Sequence, residues 1–235
     1  MSTTQYDGVA SRIVEIERAL GPYREHEQIP AVLDAVGSLD GVTVLDAGCG
    51  TGAYSRLLRR RGAAEVLGVD SSAGMVAAAQ ALEEREPLGV AYRRADLSAM
   101  DVVGAFGVVT AISVLHYADS RETLHRMCGS LFAHLASGGR LVTVVGNADL
   151  PSGVVRDALS IQRPTPVHDG DVCTLTIHTT PPVRLAVYRW SRAALEQALR
   201  AGGFADVTFA PVGPVAGDAG EEPAALLLCA RRPGA

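Results

Sequence analysis

The sequence predicts an α/β protein: a doubly wound, mostly parallel seven-stranded sheet with a C-terminal antiparallel hairpin. Short β-branched runs alternate with helical patterns from residue 43 to residue 146, which is typical of parallel sheets built from βαβ crossovers. The run 106–113 is apolar almost throughout, as expected for a central strand buried on both faces. The chain ends in strand, loop and strand instead of a further βαβ unit, which predicts the hairpin.

The composition fits a folded globular protein and excludes several classes of function. The 235 residues suffice for one α/β domain with a full core, and 48% of them are hydrophobic. A net charge of -5 argues against a nucleic-acid surface, which needs a basic face. No apolar run is long enough to span a bilayer, and the N-terminus lacks signal-peptide character, so we expect no membrane association. Four scattered cysteines without metal-type spacing indicate reduced thiols, a cytoplasmic location and no metal.

Each element has a local signal in the chain. Gly62 closes the first helix of the core, Ser71 or Ser72 can cap the second, and Gly138 follows the third. Residues 213–222 have the composition of a solvated loop. The predicted strands are 43–48, 65–70, 89–96, 106–113, 140–146, 206–212 and 224–233, and the predicted helices are 52–62, 71–86, 120–139 and 191–203.

These elements predict a single domain covering residues 1–235. A helical N-terminal cap occupies residues 1–40, and the alternating core occupies 41–146. Residues 147–190 break the rhythm, because they are rich in Pro, Thr, Asp and His and contain one small β-hairpin after residue 172. A helix and two strands complete the chain in 191–235.

Three glycines stand close together in "VLDAGCGTGAYSRLL", directly after the first strand. Ordering glycine costs backbone entropy, so such a cluster indicates that something approaches the backbone closely. Gly48, Gly50 and Gly52 lie where a doubly wound sheet binds ligands, at its topological switch point. Asp70 ends the second strand, 24 residues after Asp46, where a carboxylate can accept hydrogen bonds from a ribose diol. The pattern predicts an adenosine-containing cofactor.

The glycines alone also match the relaxed G-x-G-x-x-A fingerprint of dinucleotide-binding proteins. Asp46 lies inside the turn, where it would repel a pyrophosphate but attract a cationic amino-acid group. The third strand ends in "ADL", in which Asp96 and Leu97 could hold an adenine edge. The chain has no lysine for the Tyr-x-x-x-Lys pair of many reductases. An NAD(P)-dependent reductase therefore stays as the less favoured alternative.

The combination resembles the class I (Rossmann-like) S-adenosylmethionine (SAM)-dependent methyltransferases of small-molecule type. "VLDAGCGTG" is similar to the first motif of that family, "VLGVDSSAGMV" to the acidic second, "ADL" to the third and "LASGGRLVTV" to the strand-entry motif. The resemblance covers residues 40–146 by motif and 185–234 by architecture. It implies SAM as the cofactor, held by 41–146, with residues 147–190 forming a roof over the acceptor.

The resemblance also implies roles for individual residues. Gly48 and Gly50 would line the methionine portion, Asp70 would hold the ribose hydroxyls, and Asp96 with Leu97 would read the adenine. Met75 would pack beside the adenine, with plain core packing as the alternative, and Tyr6 and Arg24 of the cap would close over the cofactor unless they lie on a solvated helix. The expected cofactor-binding residues are Tyr6, Arg24, Asp46, Gly48, Gly50, Asp70, Ser71, Met75, Asp96, Leu97 and Ser113.

Candidate catalytic residues follow the fourth strand in "AISVLHYAD". His116 lies at the carboxyl edge of the sheet, where the methyl group should point, and could act as a general base or simply shape the pocket. Tyr117 is comparable but less suited as a base. His178, Tyr188 and Trp190 lie in or beside the inserted hairpin and could line the acceptor pocket, although Trp190 could equally be a core residue.

We therefore expect methyl transfer from SAM to an oxygen or nitrogen of a small-molecule metabolite, in bacterial natural-product biosynthesis. "SVLHY" stands where many nucleic-acid methyltransferases carry a proline-aromatic motif, which favours a small acceptor. A methyltransferase-like protein that binds the cofactor for another purpose is a second alternative. We expect a monomer or a homodimer.

Overall fold

The computed structural model describes residues 4–101, 104–156, 158–213 and 223–234 of the chain. The predicted loop 213–222 lies, except for its first residue, outside the described residues. The strands, numbered along the chain, are β1 (Thr43–Ala47), β2 (Glu65–Asp70), β3 (Val90–Arg94), β4 (Phe106–Ile112), β5 (Leu135–Gly146), β6 (Gly153–Arg156), β7 (Leu159–Gln162), β8 (Val172–Ile177), β9 (Val183–Tyr188), β10 (Ala205–Val212) and β11 (Ala225–Arg231).

Helices precede the main sheet and alternate with its strands. They are α1 (Thr4–Asp7), α2 (Ile13–Tyr23), α3 (Ile29–Val36), α4 (Ala53–Arg60), α5 (Ala73–Arg85), α6 (Arg121–Ala133) and α7 (Arg192–Ala201). Within the described part of the chain, no helix has both the length and the apolar character needed to cross a membrane.

Seven strands form the main sheet in the order β10-β11-β5-β4-β1-β2-β3. β1 to β5 pair in parallel, whereas β11 pairs antiparallel with both β5 and β10. Residues of β1 alternate between two cores, since Val44 packs with α3 and α4 while Leu45 packs with α6 and α7. Helices thus cover both faces, which confirms the predicted doubly wound sheet and its C-terminal antiparallel hairpin.

The predicted helix 120–139 is shorter in the structure. α6 ends at Ala133, and Leu135 already pairs with Phe106 of β4. Four residues then loop out of register before Arg140 pairs with Val108. Gly138, which was expected to follow the helix, lies in this looped segment with a φ of +76°, a left-handed conformation that glycine adopts readily.

The inserted segment forms a second, four-stranded antiparallel sheet in the order β6-β7-β8-β9, called the roof sheet below. β8 and β9 are the hairpin that the sequence predicts. β6 and β7, with four residues each, precede it and were not predicted, because such short runs carry little periodic signal. Along β9, Val183, Leu185 and Val187 are buried while the residues between them are exposed, so one face of this sheet is apolar.

Helices α1 to α3 form a cap, residues 4–36, that joins the two sheets. α3 packs against the main sheet, whereas Ile16 of α2 packs against Ile177 and Leu185 of the roof sheet. Gln5 also bonds the outer edge of β9, because its side-chain oxygen accepts from the amide of Ala186 at 3.1 Å and its nitrogen donates to the carbonyl of Ala186 at 3.3 Å. The cap is therefore fastened to the roof sheet by both apolar and polar contacts.

Candidate active site

The glycine turn after β1 is closely packed at one end and open in its middle. The amides of Gly48 and Cys49 donate to the carbonyl of Val69 at 2.7 and 2.9 Å. Gly48 has a φ of +77°, and a Cβ there would lie 2.4 Å from Cγ2 of Val114. At Gly50, which has a φ of +55°, an added Cβ would have no atom of the described residues within 4 Å. The turn therefore leaves open space beside Gly50.

Asp46 lies beneath this turn and is almost fully buried. Ser55 Oγ donates to its Oδ2 at 2.6 Å, and Thr110 Oγ1 donates to its Oδ1 at 2.7 Å. Burial raises the pKa of the Asp46 carboxyl, and the two hydroxyl bonds act against that rise. Both carboxylate oxygens are thus engaged from within the core.

Asp70, at the end of β2, faces the same turn. Its Oδ2 accepts from the Gly50 amide at 2.9 Å, and its Oδ1 accepts from the Ser72 amide at 2.8 Å. Burial raises the pKa of this carboxyl, and the backbone bonds lower it. Ser72, and not Ser71, caps α5 by accepting from the Met75 amide. The Ser71 amide also bonds this carboxylate, and because a carboxylate has about four lone-pair sites, Asp70 keeps capacity for a ligand.

The residues expected around the adenine are divided between two neighbouring spaces. Met75 and Leu97 are buried and line the main cavity. Asp96 instead borders a smaller cavity together with Ser71, which lines both. The Oδ1 of Asp96 accepts from the amide and the hydroxyl of Ser98, each at 2.8 Å, and these bonds lower the pKa of Asp96 against an opposing effect of burial.

The main cavity, about 400 Å³ in volume, lies between the carboxyl edge of the main sheet, the cap and the roof sheet. Its walls include the glycine turn and Asp70 on one side and Ile13, Ile16 and Leu20 of the cap. The apolar face of the roof sheet supplies Leu159, Ile161, Leu175, Ile177, Leu185 and Val187.

The three roof residues singled out from the sequence have different places. Tyr188 lines the cavity. Trp190 also lines it while donating from Nε1 to the carbonyl of Ala118 at 3.0 Å, so it belongs to both core and pocket. His178 is exposed and does not line the cavity. Its Nε2 is hydrogen bonded to Ser160 Oγ of the roof sheet at 2.9 Å.

His116 and Tyr117 occupy a short 3-10 helix, Leu115–Tyr117, directly after β4, and both line the cavity. Nε2 of His116 is buried and has no hydrogen-bond partner among the residues that the structure describes, and burial lowers the pKa of this ring to about 4. The Tyr117 hydroxyl is hydrogen bonded to that of Tyr6 in the cap. Ser113 precedes this segment with a φ of +59° and lines the cavity as well.

The cap contributes polar groups that the sequence analysis did not identify. Thr51 Oγ1 donates to Glu17 at 2.6 Å, and the Tyr54 hydroxyl donates to Gln28 Oε1 at 2.7 Å. Arg24, between these two cap residues, lines the cavity and forms no ion pair with a carboxylate of the described residues. Helical spacing in the sequence could have pointed to these residues. Glu17, Arg24 and Gln28 have spacings of seven and four residues, so they share one face of a helix.

Arg163 also lines the cavity and was missed. It follows β7 in "LSIQR", where Leu159, Ile161 and Arg163 alternate with Ser160 and Gln162. A period of two places these three side chains on one face of a strand. This alternation is the sequence pattern from which Arg163 could have been identified.

Comparison with known proteins identifies the family. Residues 44–139 match the family model described as "Methyltransferase domain". An N-demethylindolmycin N-methyltransferase from Streptomyces griseus is 30% identical over 190 residues, which covers 79% of this chain and 78% of that protein. The chain belongs to the class I SAM-dependent methyltransferases and uses SAM as its cofactor. Membership in this family sets aside the reductase alternative.

Other relatives match over a shorter length or by fold alone. A ubiquinone biosynthesis O-methyltransferase from Nitrobacter winogradskyi is 37% identical over 98 residues, and the match spans 41% of this chain but only 37% of that protein. The SAM-bound structure of an amino pentose methyltransferase from Micromonospora echinaspora has a TM-score of 0.60 at 20% identity, covering 93% of this chain and 91% of that one. This structural match shows the shared fold.

Proposed function

We propose that this methyltransferase transfers a methyl group from SAM to an oxygen or nitrogen of a small-molecule metabolite. The observation that carries the proposal is the cavity itself, which the glycine turn and Asp70 line on one side and the apolar face of the roof sheet on the other. Such a space offers a cofactor half and an acceptor half with His116 and Tyr117 among its walls. It is mostly apolar, as small-molecule sites are.

The residues of the cofactor half fit SAM. Open space beside Gly50 allows a ligand to approach the backbone, and Arg24 offers a guanidinium, unpaired with any described carboxylate, to the SAM carboxylate. Asp70 can accept from both ribose hydroxyls with its remaining lone pairs, and Met75 and Leu97 offer apolar surface to the adenine. When bound, SAM supplies an electrophilic methyl group on a sulfonium.

The remaining candidate residues support that half in different ways. Gly48, with Gly50, lets the chain turn beneath the methionine portion, and Tyr6 closes over it from the cap. Asp46 acts mainly through its charge and by supporting the turn, since both oxygens already accept hydroxyl bonds. Ser71 and Ser113 line the cavity at strand ends, and Asp96 borders the adenine side from its smaller cavity.

His116 orients the acceptor and does not serve as a strong base. Its low pKa keeps the ring neutral at physiological pH and makes it a weak proton acceptor. Its buried, unpartnered Nε2 is nevertheless available for one hydrogen bond to an acceptor hydroxyl or amine. Methyl transfer needs an aligned, unprotonated nucleophile, and this bond together with the apolar wall would supply the alignment.

We place the reaction in natural-product biosynthesis, on the support of the N-demethylindolmycin N-methyltransferase that matches most of the chain. The test incubates the protein with methyl-labelled SAM and a panel of phenols, amino sugars and heteroaromatic amines, and measures S-adenosylhomocysteine (SAH) binding by calorimetry. We expect micromolar SAH binding and label in a small molecule, with Asp70→Ala as the inactive control. Failure to bind SAH, or label found in nucleic acid or protein, would contradict the proposal.

A further inference from the structure

Besides Arg24 of the cap, two arginines line the cavity from the roof side. Arg163 and Arg189 line the cavity from the ends of β7 and β9, whereas Asp46 and Asp70 line it from the main sheet. Arg189 is neutralised by Asp169, with Nη1 and Oδ1 at 2.8 Å. Arg163, in contrast, forms no ion pair with a carboxylate anywhere in the described residues.

The hydrogen bonds of Arg163 leave part of its guanidinium unused. Nη1 donates to the carbonyl of Ala148 at 3.2 Å, and Nη2 donates to the carbonyl of Asn147 at 3.0 Å. Nε is buried and has no hydrogen-bond partner within the described part of the chain. The guanidinium is also hydrogen bonded to the side chain of Cys173, a thiol in the cavity wall. A guanidinium has five N–H donors, so several remain for a ligand.

Its surroundings make this charge costly without a counter-ion. Arg163 shares the wall with Leu159 and Ile161, the alternating residues of its own strand. The Asp149 carboxylate acts on Arg163 electrostatically, but that carboxylate also lies 3.8 Å from both Arg189 and Arg192. Arg163 is partly buried, so a counter-ion would stabilise its charge more than it would at an exposed site, and arginine is suited to hold a carboxylate by two parallel bonds.

We propose that Arg163 is a specificity-determining residue that binds an anionic group, such as a carboxylate, on a flat or compact apolar acceptor. This inference rests on the proposed function and names its substrate class. The carboxylates of the main sheet would repel the anion while Arg163 attracts it, so the acceptor is oriented with its anion at the roof sheet. Its nucleophile then faces the cofactor half.

The test uses two probes that have the same shape and differ in charge, naphthalene-2-carboxylate and naphthalene-2-carboxamide. Their binding to the SAH-loaded protein is measured by calorimetry at pH 7.5. We expect the carboxylate to bind at least tenfold tighter than the amide. Arg163→Gln should abolish that preference, whereas Arg200→Gln, which removes an exposed arginine paired with Glu196, should retain it.

A wild-type protein that binds the carboxylate no tighter than the amide would overturn the inference, as would an Arg163→Gln variant that keeps the preference. SAH binding by the wild type is measured first, so its absence would refute the proposed function separately. If Arg163→Gln does not fold, a crystal structure of the wild-type complex with SAH and naphthalene-2-carboxylate decides. A carboxylate bound away from Arg163 would refute its role.

Discussion

The hydroxyl of Tyr6, in the first helix of the cap, is hydrogen bonded to the hydroxyl of Tyr117, which directly follows His116 beyond β4. The two rings meet edge to face with centroids 5.5 Å apart. Burial raises the pKa of both phenols, so each remains protonated at physiological pH. This contact fastens the cap to the carboxyl edge of the main sheet beside the proposed methyl-transfer site.

Removing either hydroxyl should loosen the cap. We expect Tyr6→Phe and Tyr117→Phe each to speed SAH dissociation by roughly 3–10-fold, because each loses the same hydrogen bond. The double variant should be no faster than the singles, as measured by stopped-flow competition. Tyr92→Phe is the control, since its hydroxyl is buried without a hydrogen-bond partner. Independent, multiplying effects of the two substitutions would contradict the coupling.

Asp70 should be the largest single contributor to cofactor affinity. Asp70→Ala removes the acceptor for the ribose hydroxyls and for the Gly50 and Ser72 amides, and should weaken SAH binding about a hundredfold. Asp70→Asn should recover little, because its NH₂ group would face one of those amides. Asp101→Asn, at an exposed carboxylate 3.2 Å from Arg93, serves as the control in calorimetry. Unchanged affinity in Asp70→Ala would refute the assignment.

Substitution of Gly48 and of Gly50 should have different effects on stability and on SAH binding. In Gly48→Ala the new Cβ would lie 2.4 Å from Val114, so we expect the free energy of unfolding to fall by about 2–4 kcal/mol. In Gly50→Ala the new Cβ has no atom of the described residues within 4 Å, so the substitution should cost only about 1–2 kcal/mol for its left-handed backbone. It should still lower SAH affinity at least tenfold, because the methyl group enters the space for the ligand. Equal losses of stability would contradict this distinction.

His116 should change acceptor binding more than proton transfer. Because the pKa of His116 is about 4, an ascending limb of the rate profile near pH 6.5 would arise from another group. We therefore expect His116→Gln to keep any such limb and to raise the acceptor KM by about tenfold. A thousandfold fall in kcat at unchanged KM, with loss of the limb, would show that His116 is the base.

The same residue makes stability depend on pH. An unfolded chain binds a proton at His116 near pH 6.5, whereas the folded protein resists doing so until about pH 4. Stability contributed by the neutral ring is therefore present above pH 6.5 and is lost as the pH falls towards 4, by at most about 3 kcal/mol. Chemical denaturation across this window should show a shallower loss for His116→Gln than for the wild type. Identical slopes would indicate a normal pKa.

The parts of the fold with strong periodicity were predicted from the sequence. β2 begins and ends where expected, and the C-terminal hairpin pairs as predicted. The limits of β5 and the two short strands of the roof sheet were not predictable, because register and pairing partners in the folded protein decide them. Local pattern does not contain that information.

The same distinction, between local patterns and contacts made only in the folded protein, applies to the residues of the candidate site. Gly48 and Asp70 could be proposed from the sequence because a glycine cluster after a strand and a carboxylate at a strand end are local patterns, and both residues line the cavity, while their cofactor-binding roles stay a prediction. The engagement of Asp46 by Thr110, and the position of Arg163 opposite the main sheet, depend on contacts between segments far apart in the chain. The alternation in "LSIQR" indicates which side chains share a face with Arg163, but it does not indicate what that face packs against.

The side chain of Gln5 imitates a neighbouring strand, because it offers one donor and one acceptor to the backbone of Ala186. β9 is the last strand of the roof sheet on that side, and an unprotected edge recruits other strands. Loss of α1 would therefore expose the unpaired edge of β9, to which other strands can bind, and would also open the active site. A protein shortened at its N-terminus should self-associate through β9. We therefore expect such a protein to aggregate during purification as well as to be inactive.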